Sequence, residues 1–163
     1  MATFTFRDTV PVGVRLTALL GVDKNNKFAD ADAGKAVKLG TSHNYVPVAA
    51  GDDIEGFCDS IQPETQGGGF SYGGVQIDGW RQAQVGANQG GTPMAVGDYV
   101  VADTPVALGT AGMAKVKTGA AFAQSGTTPF AVTLPTPKKF FWRVYEIVTG
   151  TGVAGDTVLL LRV

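Results

Sequence analysis

No long segment of this chain keeps a 3.6-residue period without meeting a glycine or a proline. That interruption excludes a helical protein, because both residues are costly inside a helix. What remains is period two. Candidate strands fall at Thr3–Phe6, Val14–Leu20, Lys35–Leu39, Tyr45–Ala49, Ile54–Ile61, Phe70–Ile77, Trp80–Val85, Tyr99–Ala102, Ala114–Thr118, Phe140–Val148 and Thr157–Val163. Many short strands separated by Gly, Pro and Asp predict an all-β protein, a small antiparallel β-barrel or sandwich. Glycine supplies 23 of the 163 residues, against a usual share of about 7%. With no collagen period, those glycines serve turns and bulges.

A chain of 163 residues suits one domain and buries roughly 70% of its unfolded surface, so it needs no covalent staple. Charged residues are 17%, where about 25% is usual, so the surface is weakly charged and suited to meeting other protein. The net charge of −1 argues against a nucleic-acid partner, which needs a basic footprint. A single cysteine excludes an internal disulfide framework and a cysteine-based zinc site. The start, "MATFTFRDTV", lacks a basic region followed by an apolar stretch, and no run of about 18 apolar residues exists. A protein made and used without secretion, and without a membrane partner, is expected.

The sharpest local signal is "GVQIDGWRQAQV". Asp78-Gly79 fits a type I′ turn, which needs positive φ at both central residues. A hairpin there sets Ile77 opposite Trp80 and Val75 opposite Gln82. Its flanks, "TQGGG" and "GANQGG", have linker composition. The pattern predicts an inserted glycine-rich hairpin projecting from the barrel near Gln66–Gly91, with Tyr72, Trp80 and Arg81 as surface candidates. An ordinary sheet edge is the other reading of the same residues.

"FFWRVYEIV" and the final "AGDTVLLLRV" are apolar on both faces. Such strands are covered on both faces, and in a small antiparallel protein the second cover is often another subunit. The last strand is expected to be ordered and paired with "FFWRVYEIV", with Glu146 and Arg162 on one face where they can pair. "AGDDI", "VGDYVV" and "AGDTV" each place a Gly-Asp before a strand. Glycine accepts the turn backbone, and Asp can bond the backbone two residues on. Unequal spacing makes this a local device rather than a solenoid repeat.

No constellation points to an enzyme. His43 lies beside Ser42, but neighbours on a strand point apart, and a triad needs convergence in space. Cys58 reads as a small buried hydrophobe more readily than as a nucleophile partnered by His43. "AGKAV" lacks the glycine spacing of a phosphate loop and the hydroxyl after Lys35. "DKNNKFADADAG" fails as a calcium loop from either Asp23 or Asp30. "PKKFFWR" mixes cations with aromatics, but a strand opening with two solvated lysines fits the charge balance better. No catalytic, cofactor-binding or metal-ligating residues are assigned.

In order along the chain, "AGKAVKLG", "VPVAAGDDIEGFCDSI", "AVGDYVVAD", "GMAKVKTG" and "AGDTVLLLRV" resemble the capsid decoration, or cement, proteins of tailed bacteriophages. The resemblance covers most of residues 34–163. The glycine-rich segment at Gln66–Gly91 and the stretch before Gly34 depart from it. It implies a β-barrel decoration domain at residues 34–163, preceded at residues 1–33 by an arm and a lead-in strand. It implies no enzymatic activity and no cofactor. The expected partner is the major capsid protein, bound by a homotrimer on the outside of the virion after synthesis in the host cytoplasm. Thr3, Phe4, Thr5 and Phe6 are the capsid-interface candidates, able to add as a strand to a capsid-protein sheet. They could equally be the first strand of the chain's own barrel. A virion-surface or tail-fibre protein with a glycan-binding face is the alternative function.

Overall fold

The computed structural model describes residues 14–21, 27–62, 71–119 and 141–163. The described period-two segments form ten strands: β1 Arg15–Leu20, β2 Ala36–Leu39, β3 Asn44–Pro47, β4 Gly56–Gln62, β5 Ser71–Gln76, β6 Trp80–Val85, β7 Val100–Ala102, β8 Lys115–Thr118, β9 Trp142–Ile147 and β10 Thr157–Arg162. Single 3-10 turns at Asp30–Asp32 and Ala87–Gln89 are the helical elements among the described residues. The all-β expectation holds. The Thr3–Phe6 strand falls outside the described residues.

The first five strands close a barrel in the order β1, β3, β2, β4, β5. All six residues of β1 pair antiparallel with β5, from Arg15 opposite Gln76 to Leu20 opposite Ser71. The ring closes where Leu19 and Leu20 run parallel to Asn44 and Tyr45 of β3. Its interior holds Leu20, Phe28, Val37, Cys58 and Val75. The segment before Gly34 is therefore more than an arm and a lead-in: β1 is a full barrel strand, and Leu20 and Phe28 are core residues.

The second sheet runs β7, β8, β6, β10, β9. It curls until its outer strands meet, with Tyr99 bridging Arg143. A second core joins it to the barrel: Ala36, Val48, Ile54 and Phe57 pack with Ala83, Val85, Val100, Trp142, Val158 and Leu160. Phe57 meets Trp142 edge to face, with ring centroids 4.9 Å apart. As expected, β10 pairs antiparallel with β9, and its Val158 and Leu160 are fully buried.

The inserted hairpin does not form. The neighbours of β5 are β1 and β4, whereas those of β6 are β8 and β10. Residues 77–79 are instead the crossover from the barrel to the second sheet. Gly79 has φ 87°, but His43 at 58° is the one non-glycine residue with positive φ among those described, so Asp78 cannot complete a type I′ turn. The Gln76 side chain bridges the corner, its Nε2 donating to Asp78 O at 2.9 Å and Trp80 O at 2.8 Å. Nor do β5 and β6 project or form an edge. Ser71, Val75, Gln76, Ala83 and Val85 are buried, and β6 lies mid-sheet. Long partners elsewhere in the chain outcompete a two-residue turn.

Candidate functional site

The three Gly-Asp turns are one piece of geometry used three times. In each, the Asp carboxylate accepts the N–H of the residue three positions back: Ala49 to Asp52 at 2.6 Å, Ala95 to Asp98 at 2.8 Å, and Val153 to Asp156 at 3.0 Å. The Asp N–H donates back to the same residue's carbonyl at 3.1, 3.1 and 3.0 Å. The bond runs backwards across the turn rather than two residues forward. The glycine sits third at φ 85°, 95° and 96°, as a type II turn requires.

Each turn also clamps a strand. The Gly51, Gly97 and Gly155 N–H groups donate to the carbonyls of Ala102, Val144 and Val85 at 2.8, 2.8 and 2.9 Å. The N–H groups of those same residues return to Asp52, Asp98 and Asp156 carbonyls at 3.0, 2.8 and 2.8 Å. The first two clamps lie on the outer edges of β7 and β9, so these edges are satisfied by the chain itself. The turn tips stay exposed, including Val96 at 64% and Val153 at 46%.

The surface candidates separate. Tyr72 lies on the barrel, opposite Leu19 and Gln62, and is exposed. Arg81 is partly exposed, and its head is taken up within the fold. Its Nη1 reaches Asp59 at 3.2 Å and Gln76 at 3.4 Å, and its guanidinium lies over the Phe57 ring. Asp59 also takes Arg15 at 3.0 Å, so one carboxylate ties β1, β4 and β6 together. Trp80 meets Tyr145 edge to face at 4.2 Å, across β10 on its outward side. Tyr145 alternates with Arg143, which shares a row with Leu161 and Trp80, so both rings face outward; beside them β9 bulges, slipping register between Leu159 and Leu160. The two rings supply part of the second cover for β10, whose outward Leu159 and Leu161 are half-buried. The capsid-interface candidates Thr3, Phe4, Thr5 and Phe6 lie outside the described residues.

The expected Glu146–Arg162 pair does not form. Arg162 lies opposite Trp142 and Glu146 opposite Leu159, at different ends of the ladder. Arg162 instead donates to the Glu55 carbonyl at 3.1 Å and stacks over Phe141 at 3.9 Å. Burial lowers its pKa, while Asp78, Glu55 and Tyr45 oppose the fall.

"DAGK", Asp32 to Lys35, carries a buried ion pair between its first and last residues. Asp32 is fully buried and Lys35 nearly so. The Lys35 ammonium donates to Asp32 and to the Ala107 carbonyl. The same carboxylate accepts the Gly109 and Ala29 N–H groups, each at 2.8 Å. The pair thus pins the 107–109 loop to the mouth of the barrel.

His43 is an exposed residue of the β2–β3 turn. Cys58 is buried in the barrel, where burial first and then the charge of Asp32 push its thiol up to about 12. A thiol so placed is neutral and sheltered, a poor nucleophile. Among the described residues no group of three or more His, Cys, Asp or Glu could hold a metal, and no helix is long and apolar enough to cross a membrane.

The described residues thus form an all-β fold, a five-stranded barrel packed on a second five-stranded sheet whose outer strands β7 and β9 each carry a turn clamp. Compared with protein-family models, curated proteins and solved structures, the chain finds no match in any of the three.

Proposed function

We propose that this chain is a capsid decoration protein, binding the outer face of a tailed-phage head and cementing neighbouring major capsid proteins. The observation that carries the reading is the order of its turn-and-strand phrases, each Gly-Asp of which opens a strand through the same clamp. Low charge supports it, since a protein packed against other protein gains little from a strongly charged surface. On this reading the protein is a homotrimer without enzymatic activity or cofactor, and it acts on the virion exterior.

The test is to mix purified protein with expanded, undecorated heads of its own phage. Saturable, stoichiometric binding at regular lattice positions is expected, and no binding refutes the proposal. Deleting Ala2–Phe6 should weaken binding while leaving the thermal unfolding transition in place. A truncated protein that unfolds would make those residues part of the domain instead.

A virion-surface protein with a glycan-binding face is the second reading. One observation favours it, and that is the outward Trp80–Tyr145 pair, which replaces the expected grouping of Trp80 with Tyr72. Glycan-array binding that disappears with Trp80→Ala would select it.

A further inference from the structure

The crossover between the two sheets rests on an Asp-Gly pair whose side chain is turned on its own backbone. Asp78 is exposed, and the Gly79 N–H donates to its Oδ1 at 2.6 Å. The nitrogen is thus held beside the carboxyl carbon, three bonds from the peptide carbonyl carbon that the same nitrogen is bonded to. Glycine puts no side chain in the way of that approach. The carboxylates of the Gly-Asp turns, by contrast, face backwards, each taken by the N–H three residues earlier. Asp59 is held between Arg15 and Arg81, and Asp103 by Asn88. Asp78 combines exposure, a glycine successor and an inward-turned carboxyl.

We propose that Asp78-Gly79 is a site of spontaneous backbone modification. The Gly79 nitrogen attacks Cγ of protonated Asp78, forming an N–C bond. The carboxyl hydroxyl leaves with the amide proton as one water, giving a five-membered succinimide. One water then opens the ring. Cleavage of the bond from nitrogen to the original peptide carbonyl gives isoaspartate, and cleavage of the new bond restores aspartate. No oxidant or co-reactant is needed, and proximity supplies the advantage.

The product routes the main chain through the Asp78 methylene and lengthens the crossover by one carbon. Three contacts depend on its present length. Gln76 Nε2 donates to Asp78 O and Trp80 O, and the Arg162 N–H donates to Gly79 O at 3.1 Å. Modification therefore loosens the end of β10 and leaves the buried Gln76 amide short of acceptors.

The test ages the full-length folded protein for several weeks at physiological temperature and pH. Tryptic peptides are then read by electron-transfer fragmentation and by isoaspartyl methyltransferase labelling. Isoaspartate at Asp78 is expected at about ten times its level at Asp98 or Asp156, the ratio given by a barrier lower by about 1.4 kcal/mol. Asp78→Glu, whose ring would need six members, should stay unmodified and keep its melting temperature while the aged wild type loses some. The comparison within the wild-type chain needs no variant. Equal isoaspartate at Asp78, Asp98 and Asp156 in the folded protein, with Asp78 converting only once unfolded, overturns the proposal.

Discussion

Lys35→Met removes the cation from a pair in which Asp32 is fully buried and Lys35 is 4% exposed. Methionine fills much of the same space, so packing changes little. The electrostatic loss is larger, because the Asp32 charge stays buried with only the Ala29 and Gly109 N–H groups for company. Breaking a buried pair from one side costs about 3–5 kcal/mol. For a chain of this size that lowers the melting temperature by roughly 6–20 °C, at about 2–4 °C per kcal/mol. The total stability of a domain is about 5–15 kcal/mol, so the variant should still fold in the cold.

Asp32→Ala should cost at least as much, because it also orphans two N–H groups and leaves the Lys35 ammonium with the Ala107 carbonyl alone. The decisive quantity is the double variant. Once the cation is gone, removing the anion relieves an uncompensated charge, so the two losses should fall short of additivity by about 2 kcal/mol, within the range known for contacting residues. Urea denaturation followed by the fluorescence of Trp80 and the buried Trp142 reads all four proteins. Additive losses within about 0.5 kcal/mol, or a Lys35→Met cost below about 1 kcal/mol, would refute the assignment of a coupled buried pair.

Three further outcomes follow from the same structure. Asp98→Ala removes the carboxylate that holds Ala95 and so loosens the cap on β9; a loss of about 1 kcal/mol is expected, with concentration-dependent association in light scattering as the edge is freed. Burial raises the pKa of Asp103, but the Asn88 backbone and side-chain N–H groups, the Thr104 N–H and Lys117 outweigh it and leave the carboxyl below its ordinary value. Its folded pKa is depressed, so its stabilisation is present above about pH 4 and lost as pH falls through the folded value; Asp103→Asn should flatten the acid limb of stability against pH. Cys58, buried and with its thiol raised to about 12, should react with a thiol reagent at mildly alkaline pH only as fast as the protein opens, and rapid labelling without denaturant would contradict its burial.

Strand positions were legible because alternation is a local property. Ten of the candidate segments coincide with β1 to β10, and the shared Gly-Asp device was visible as a repeated phrase. Partnership was not legible. Asp78-Gly79 satisfies the local rule for a hairpin, but the segments it joins find partners at Arg15–Leu20 and Thr157–Leu161, at opposite ends of the sequence. The ion pair of Arg81 was illegible because its carboxylate partner lies 22 residues away, on the bulge of β4. The Trp80–Tyr145 contact was illegible for a related reason: alternation puts Tyr145 on the face of Arg143, but that β6 and β9 flank β10 is a matter of sheet order, which no spacing in the sequence announces. The buried pair was written in "DADAGK", where a turn sets Asp32 and Lys35 three residues apart, but only the 107–109 loop makes that pair an interior one.

The sealed edges bear on how such a protein could join a larger assembly. The Gly51-Asp52 turn occupies the outer edge of β7, and the Gly97-Asp98 turn occupies that of β9. Main-chain addition at either place would first have to displace two hydrogen bonds. The barrel is different. Val14 O accepts the Ile77 N–H, which fixes alternate residues of β1 towards β5 and turns the N–H and C=O groups of Arg15 and Thr17 the other way. On that side β3 pairs only with Leu19 and Leu20, so the first half of β1 is an open edge among the described residues. The segment carrying Thr3–Phe6 precedes this edge directly in sequence. If the proposed capsid docking uses main-chain pairing, the start of β1 is where the described fold leaves it room. Deleting Ala2–Phe6 is therefore the perturbation that separates binding from folding. Substituting the clamps would change both, because each clamp is at once a turn, an edge cover and part of the sheet.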